Sequence, residues 1–175
     1  MKKFTAFVLC AFLCLGLTAC GSASTDSQKN NTTKQDDVAK TGGYVFETKG
    51  KQIAMDADFA EIAKELGDPI KYYEAASCAF EGLDKTYTYD GFKVDTYPDE
   101  KSVDRVADVI FTDDTVKTKE GAHLGMTADD IKGIYGSDGT ENDKSITYEK
   151  GDMKLIFILT DGKVTSIQYV SKVLG

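Results

Sequence analysis

The sequence is poor in tryptophan, proline and histidine. It has no tryptophan, two prolines and a single histidine, His123. One histidine cannot form a histidine-rich zinc site, and no nucleophile–histidine–acid motif surrounds it, so we interpret His123 as a surface or linker residue. The acids at 113–114 and 129–130 lack the ligand spacing of an EF-hand, and no glycine-rich phosphate loop follows a predicted strand. The sequence therefore predicts no metal, no cofactor and no enzymatic activity.

Charge is absent from residues 4–18, which follow the basic pair Lys2-Lys3. This apolar run is short for a membrane-spanning helix, which needs about 20 residues, and a small-residue cleavage site follows it. The pattern is typical of a secretory signal peptide over residues 1–19. The end of the signal, "LTAC" before Gly21, resembles a bacterial lipobox.

That resemblance implies cleavage before Cys20 and a diacylglyceryl thioether on its sulfur. Two acyl chains give a stable anchor where one would be marginal. The expected location is the extracytoplasmic face of the cell membrane, with the lipid on Cys20 as the membrane contact. An ordinary secretory peptide that leaves Cys20 unmodified is the alternative. Gly21 carries no retention signal of the aspartate kind, so a one-membrane and a two-membrane host both stay open.

Cysteine is scarce in the rest of the chain. Of the four cysteines, those at 10 and 14 leave with the signal and Cys20 is acylated, so only Cys78 keeps its thiol. No intramolecular disulfide is then available, and core burial must stabilise the domain. Cys78 lies in the small, apolar stretch "AASCAF", which predicts a buried residue. Intermolecular pairing or a reactive thiol is the alternative.

Apolar residues are also scarce in residues 20–43, which are rich in serine, threonine, asparagine and glycine. Such a segment cannot form a core, and we interpret it as a disordered tether. The remaining domain has 16 basic and 26 acidic residues, a net charge of −10. So acidic a surface argues against nucleic acid and anionic lipid as partners. A basic partner and a merely solvated surface both stay open.

One short pattern occurs twice. The stretch "EIAKELG" at 61–67 is matched by "DIKGIYG" at 130–136. Asp58 and Thr127 are typical helix caps, and a glycine ends each segment, so helices are predicted at about 58–66 and 128–135. A hairpin is predicted within 44–55, and strand patterns with turn signals follow the helices at 70–80, 86–90, 92–98 and 106–113, and then at 145–150, 153–160 and 163–172.

The fold class predicted from this order is α+β, with two tandem repeats that each carry a helix and an antiparallel sheet. The repeats span 44–118 and 119–175. Over about 55–175 this plan resembles the β-lactamase-inhibitor-protein-like fold, in particular its small lipid-anchored members. The motifs "LGMTADDIKGIYG" and "DGKVTSIQY" also resemble outer-membrane-assembly lipoproteins of the SmpA/OmlA type. The resemblance implies a fold and transfers no inhibitory residue, since fold does not determine function.

A helix covers one face of a sheet, so the other face is solvated, packed on the sister repeat or used for binding. Strand alternation predicts Tyr87 and Tyr89 on the helix-covered face. The opposite face is the candidate binding face, with Lys93, Asp95, Tyr97, Ile156 and Ile158. For Ile156 and Ile158 an inter-repeat core is an equal alternative.

The function predicted from these features is a lipid-anchored, extracytoplasmic binding module without catalytic activity. It would hold a protein or envelope component on its open sheet face. Two alternatives remain: a structural lipoprotein for envelope assembly, and an enzyme that uses clustered carboxylates.

Overall fold

The computed structural model describes residues 42–174. The predicted signal peptide, Cys20 and the tether up to residue 41 lie outside the described residues. Within the described part, neither α-helix has the length and apolar character needed to cross a membrane.

Two α-helices and ten strands make up the described part of the chain. The first half holds β1 (Phe46–Thr48), β2 (Lys51–Ile53), α1 (Phe59–Leu66), β3 (Lys71–Ala76), β4 (Leu83–Thr88), β5 (Phe92–Pro98) and β6 (Asp104–Phe111). The second half holds α2 (Ala128–Tyr135), β7 (Thr140–Asn142), β8 (Ser145–Lys150), β9 (Met153–Thr160), β10 (Lys163–Ser171) and a 3₁₀ turn (Lys172–Leu174).

Eight of the strands form one antiparallel sheet in the order β3-β4-β5-β6-β10-β9-β8-β7, and β1 and β2 form a separate hairpin. The predicted α+β class is confirmed. The strands that follow α1 occupy one half of the sheet and those that follow α2 occupy the other. The two halves meet where β6 pairs with β10, so they join edge to edge rather than face to face.

The two helices start and end as their sequence signals predict. Asp58 caps α1 by accepting a hydrogen bond from the backbone of Ala60 at 3.0 Å. Thr127 caps α2 and closes a capping box with Asp130. The hydrogen bonds from the backbone and side chain of Thr127 lower the pKa of the Asp130 carboxyl. Each helix ends at a glycine with positive φ, which other residues adopt only with strain.

The core lies on the face of the large sheet that carries the helices. Phe46 of the β1–β2 hairpin packs over the sheet centre, with its ring centroid 5.0 Å from those of Phe92 and Phe111. Tyr87 faces α1 through Phe59, at 4.6 Å, and Tyr89 is buried, so both tyrosines lie on the predicted side. One row of side chains crosses six strands on this face: Tyr87, Val94, Val109, Tyr169, Leu155 and Tyr148.

Tyr169 offers a test of this core. Its side chain is fully buried, its hydroxyl has no hydrogen-bond partner among the described residues, and burial raises its pKa. An unpaired buried hydroxyl costs free energy, so we expect Tyr169→Phe to stabilise the fold by about 1 kcal/mol in urea denaturation. Tyr148→Phe is the matched control. The Tyr148 hydroxyl donates to the carbonyl of Gly136 at 2.7 Å, so this variant should lose stability. Equal losses in both would contradict the prediction.

The prediction that Cys78 is buried is wrong, because its side chain is exposed. The strand predicted over 70–80 ends at Ala76. The Ser77 hydroxyl then accepts hydrogen bonds from the backbones of Ala79 and Phe80, at 3.3 and 3.2 Å. This bend carries Cys78 into the β3–β4 loop. Apolar neighbours in sequence do not bury a residue once the chain has left the sheet.

Candidate binding surface on the open sheet face

The face of the large sheet that points away from the helices is called here the open face. Its side chains alternate with the core residues along each strand. None of its aliphatic residues belongs to the core cluster, and each is half-buried. Two rows of opposed residues define it: Lys93, Ile110, Gln168 and Ile156, and next to them Asp95, Asp108, Val170 and Lys154.

Four of the five predicted binding residues lie on the open face. Lys93 and Asp95 are on β5, and Ile156 and Ile158 are on β9, with β6 and β10 between the two pairs. Ile158 lies between Ser145 of β8 and Ser166 of β10. All four are half-buried, as expected for residues in the middle of a sheet with one face uncovered.

Tyr97, the fifth, is placed differently. Its side chain is only 6% exposed, and its ring stacks on Phe80 of the β3–β4 loop at 5.0 Å. Its hydroxyl donates to Asp56 Oδ1 at 3.0 Å, and the Ser171 hydroxyl donates to the same oxygen at 2.7 Å. Burial and the Asp56 hydrogen bond raise the pKa of Tyr97 to about 12. Tyr97 of β5 therefore contacts the β3–β4 loop and Asp56, and it offers little surface to a partner.

The sequence reasoning missed Asp108, which lies directly opposite Asp95 on the neighbouring strand. The two carboxyl groups face the same side of the sheet, and one oxygen of each is buried without a hydrogen-bond partner among the described residues. The Lys93 ammonium donates to the other oxygen of Asp95 at 3.0 Å. The available signal was Asp108 itself, an acid in the middle of the apolar strand pattern "VADVIF".

The electrostatics of this pair follow from its burial. Burial and the charge of Asp95 raise the pKa of Asp108 to about 7, and nearby Lys93 opposes the shift. Near neutral pH the pair therefore exchanges between a singly protonated form and two carboxylates.

The arrangement is poorly suited to the carboxylate chemistry left open above. Glycosidases keep their two carboxyl groups about 5 Å or more apart so that both reach the bond they cleave, whereas Asp95 and Asp108 are direct cross-strand neighbours, each with one carboxyl oxygen buried in the sheet. Within residues 42–174, no group of three or more potential ligands could hold a metal ion. His123 lies in the chain between the sheet halves, where its Nδ1 is 2.8 Å from the carbonyl of Leu124.

Comparison with known proteins found no family model, no curated protein and no solved structure that matches the chain. The likeness to the β-lactamase-inhibitor-protein-like fold and to the assembly lipoproteins therefore rests on the motifs quoted above. The function must be argued from the surfaces of the molecule.

Proposed function

We propose that this protein is a lipid-anchored, extracytoplasmic binding module that holds a protein or envelope component on its open face. The observation that carries the proposal is the one-sided cover of the large sheet. The hairpin and both helices contribute to a single core cluster on one face. The opposite face presents Ile110, Ile156, Ile158 and Val170 among polar and charged residues, a mixture typical of protein interfaces.

The finer architecture belongs to the same proposal. We infer two tandem units, each a helix followed by four antiparallel strands, joined through β6 and β10. The strand order supports this, because the two halves have equivalent positions on either side of the β6–β10 junction. A doubled unit gives an open face about twice as wide as one unit could provide.

The proposed face can be tested by site-specific crosslinking in the cells that produce the protein. A photoreactive residue would replace Ile156 or Ile158 in the full chain. Lys64, exposed on α1, would be the matched control position. We expect the same crosslinked adduct from both open-face positions and none from the helix position. The adduct should disappear when Ile158→Lys is combined with the photoreactive residue at 156.

Two outcomes would contradict the proposal. The same adduct from Lys64 would show that the partner does not select the open face, and no adduct from any position would remove the support for a bound protein.

Ile158→Lys also needs a stability measurement. A charge in a true core costs more than about 3 kcal/mol, so such a loss would identify Ile158 as core rather than binding surface.

A further inference from the structure

The two edges of the large sheet are protected very differently. At one end, β7 has three residues, all polar, and the Asn142 side chain bonds back to Ser145 and Lys144. At the other end, β3 has six residues and pairs with β4 without a register shift. No described strand pairs with the outer side of β3. Proteins usually protect such an edge with short strands, bulges, proline or charged side chains. Strand β3 carries Lys71 and Glu74, but it contains no bulge and no proline.

Large apolar side chains gather along this edge, which no described strand covers. Ile70 and Tyr73 are each 66% exposed and Tyr72 is 50% exposed, and Leu83 on the adjoining strand is also exposed. The other exposed large hydrophobic residues of the described chain, Val173 and Leu174, lie in the 3₁₀ turn. A long flat edge with exposed aromatic residues is an effective template for an added strand.

The charges around this edge select the kind of strand. Lys71 is the exposed base on the strand itself, and four exposed acids surround the edge: Asp68, Glu74, Glu81 and Asp84. Lys85, on the next strand, is paired with Asp104 at 2.7 Å. A second copy of this chain would bring a domain of net charge −10 against another of the same charge, which is unfavourable.

We propose that the outer edge of β3 is a docking site for an extended basic segment of another protein, which adds as a ninth strand. The backbone of β3 supplies the hydrogen bonds, the exposed aromatic and aliphatic side chains supply apolar contacts, and the surrounding carboxylates favour lysine or arginine in the partner. This site lies at the rim of the sheet and is separate from the open-face positions Ile156 and Ile158, so the two proposals can fail independently.

Hydrogen–deuterium exchange on the full chain in detergent tests the proposal. The probe is a short synthetic peptide that alternates lysine with valine, beside a matched peptide with glutamate in place of lysine. We expect the lysine peptide to slow exchange of the backbone amides over 71–76. We expect the glutamate peptide to require about tenfold or more higher concentration for the same protection.

Two sets of variants locate the site. Ile70→Ser combined with Tyr73→Ser should weaken binding of the lysine peptide about tenfold or more, whereas Val173→Ser combined with Leu174→Ser should not change it. Glu81→Lys combined with Asp84→Lys should reverse the preference between the two peptides. Because all six side chains are exposed, these variants should remain folded.

Several results would overturn the proposal. These are equal protection by both peptides, no protection of 71–76 by the lysine peptide, and binding that survives the Ile70 and Tyr73 substitutions. Protection of 71–76 in the free chain that disappears when residues 21–41 are deleted would identify the chain's own N-terminal segment as the occupant. Protection that grows with protein concentration alone would identify a second copy.

Discussion

Replacing Asp108 with asparagine should raise the free energy of unfolding, by more at pH 8 than at pH 5. The pKa of Asp108 is raised to about 7 in the folded protein, mainly by burial and by Asp95. Between about pH 4 and pH 7 the folded state therefore binds more protons at this site than the unfolded state. Stability contributed by the protonated group falls as pH rises through this window, and asparagine does not titrate. The advantage of the variant should grow by about 2–3 kcal/mol from pH 5 to pH 8.

Urea denaturation of the two proteins across this pH range measures the effect directly. The quantity to compare is the difference in the free energy of unfolding between the variant and the unmodified protein at each pH, because other carboxyl groups titrate in both proteins. Asp114→Asn, at an exposed acid in a turn, is the control and should leave the shape of the pH curve unchanged. Parallel curves for Asp108→Asn and the unmodified protein would show that the pair does not hold a proton near neutral pH. The charged groups near Asp108 on the neighbouring strand β5 are Asp95 and Lys93. Lys154 on β9 and Glu149 on β8 lie farther along the same row.

Phe46→Ala should lower the free energy of unfolding by about 3–5 kcal/mol. The Phe46 side chain is fully buried and lies against Phe92, Phe111 and Tyr169, so its removal leaves a cavity in the core. Strands β1 and β2 pair with each other and form a sheet of their own, separate from the eight-stranded sheet. Side-chain packing must therefore supply much of the free energy that holds the β1–β2 hairpin against the large sheet. Urea denaturation measures the loss, and hydrogen exchange over 46–53 should accelerate more than exchange over 153–160.

Val173→Ala is the control for this substitution. It also removes apolar side-chain atoms, but from a residue that is mostly exposed, so we expect a change within about 0.5 kcal/mol. If Phe46→Ala cost no more than the control, the hairpin would not be part of the cooperative core. A large loss with unchanged exchange over 46–53 would mean that the damage lies in the sheet and not in the hairpin.

The local parts of this fold could be predicted well from the sequence. The run predicted at 92–98 is β5, those at 145–150 and 153–160 are β8 and β9, and the run at 163–172 is one residue longer than β10. Turn pairs such as Asp90-Gly91 mark these hairpins because glycine tolerates the positive φ that tight turns require. Strand β7 was missed, because its three polar residues carry no alternating pattern.

The non-local parts could not be predicted, and they decide the candidate site. Alternation correctly separated Lys93 and Asp95 from the core, but it could not reveal that Phe80 covers Tyr97 or that Asp56, 41 residues away, binds its hydroxyl. Nor could it reveal that Asp95 lies opposite Asp108. That pairing depends on the register between β5 and β6, which includes an irregularity next to Asp95.

The position of β10 in the middle of the sheet has a consequence for how the protein is made. Among the described strands β10 is synthesised last, yet it separates β6 from β9. At about 5–20 residues per second, roughly 3–12 s pass between the end of β6 at Phe111 and the end of β10 at Ser171. Throughout that interval the inner edge of β6 has no partner, so the nascent chain exposes an aggregation-prone edge that the finished protein conceals. A chaperone that binds extended segments would have its natural target there.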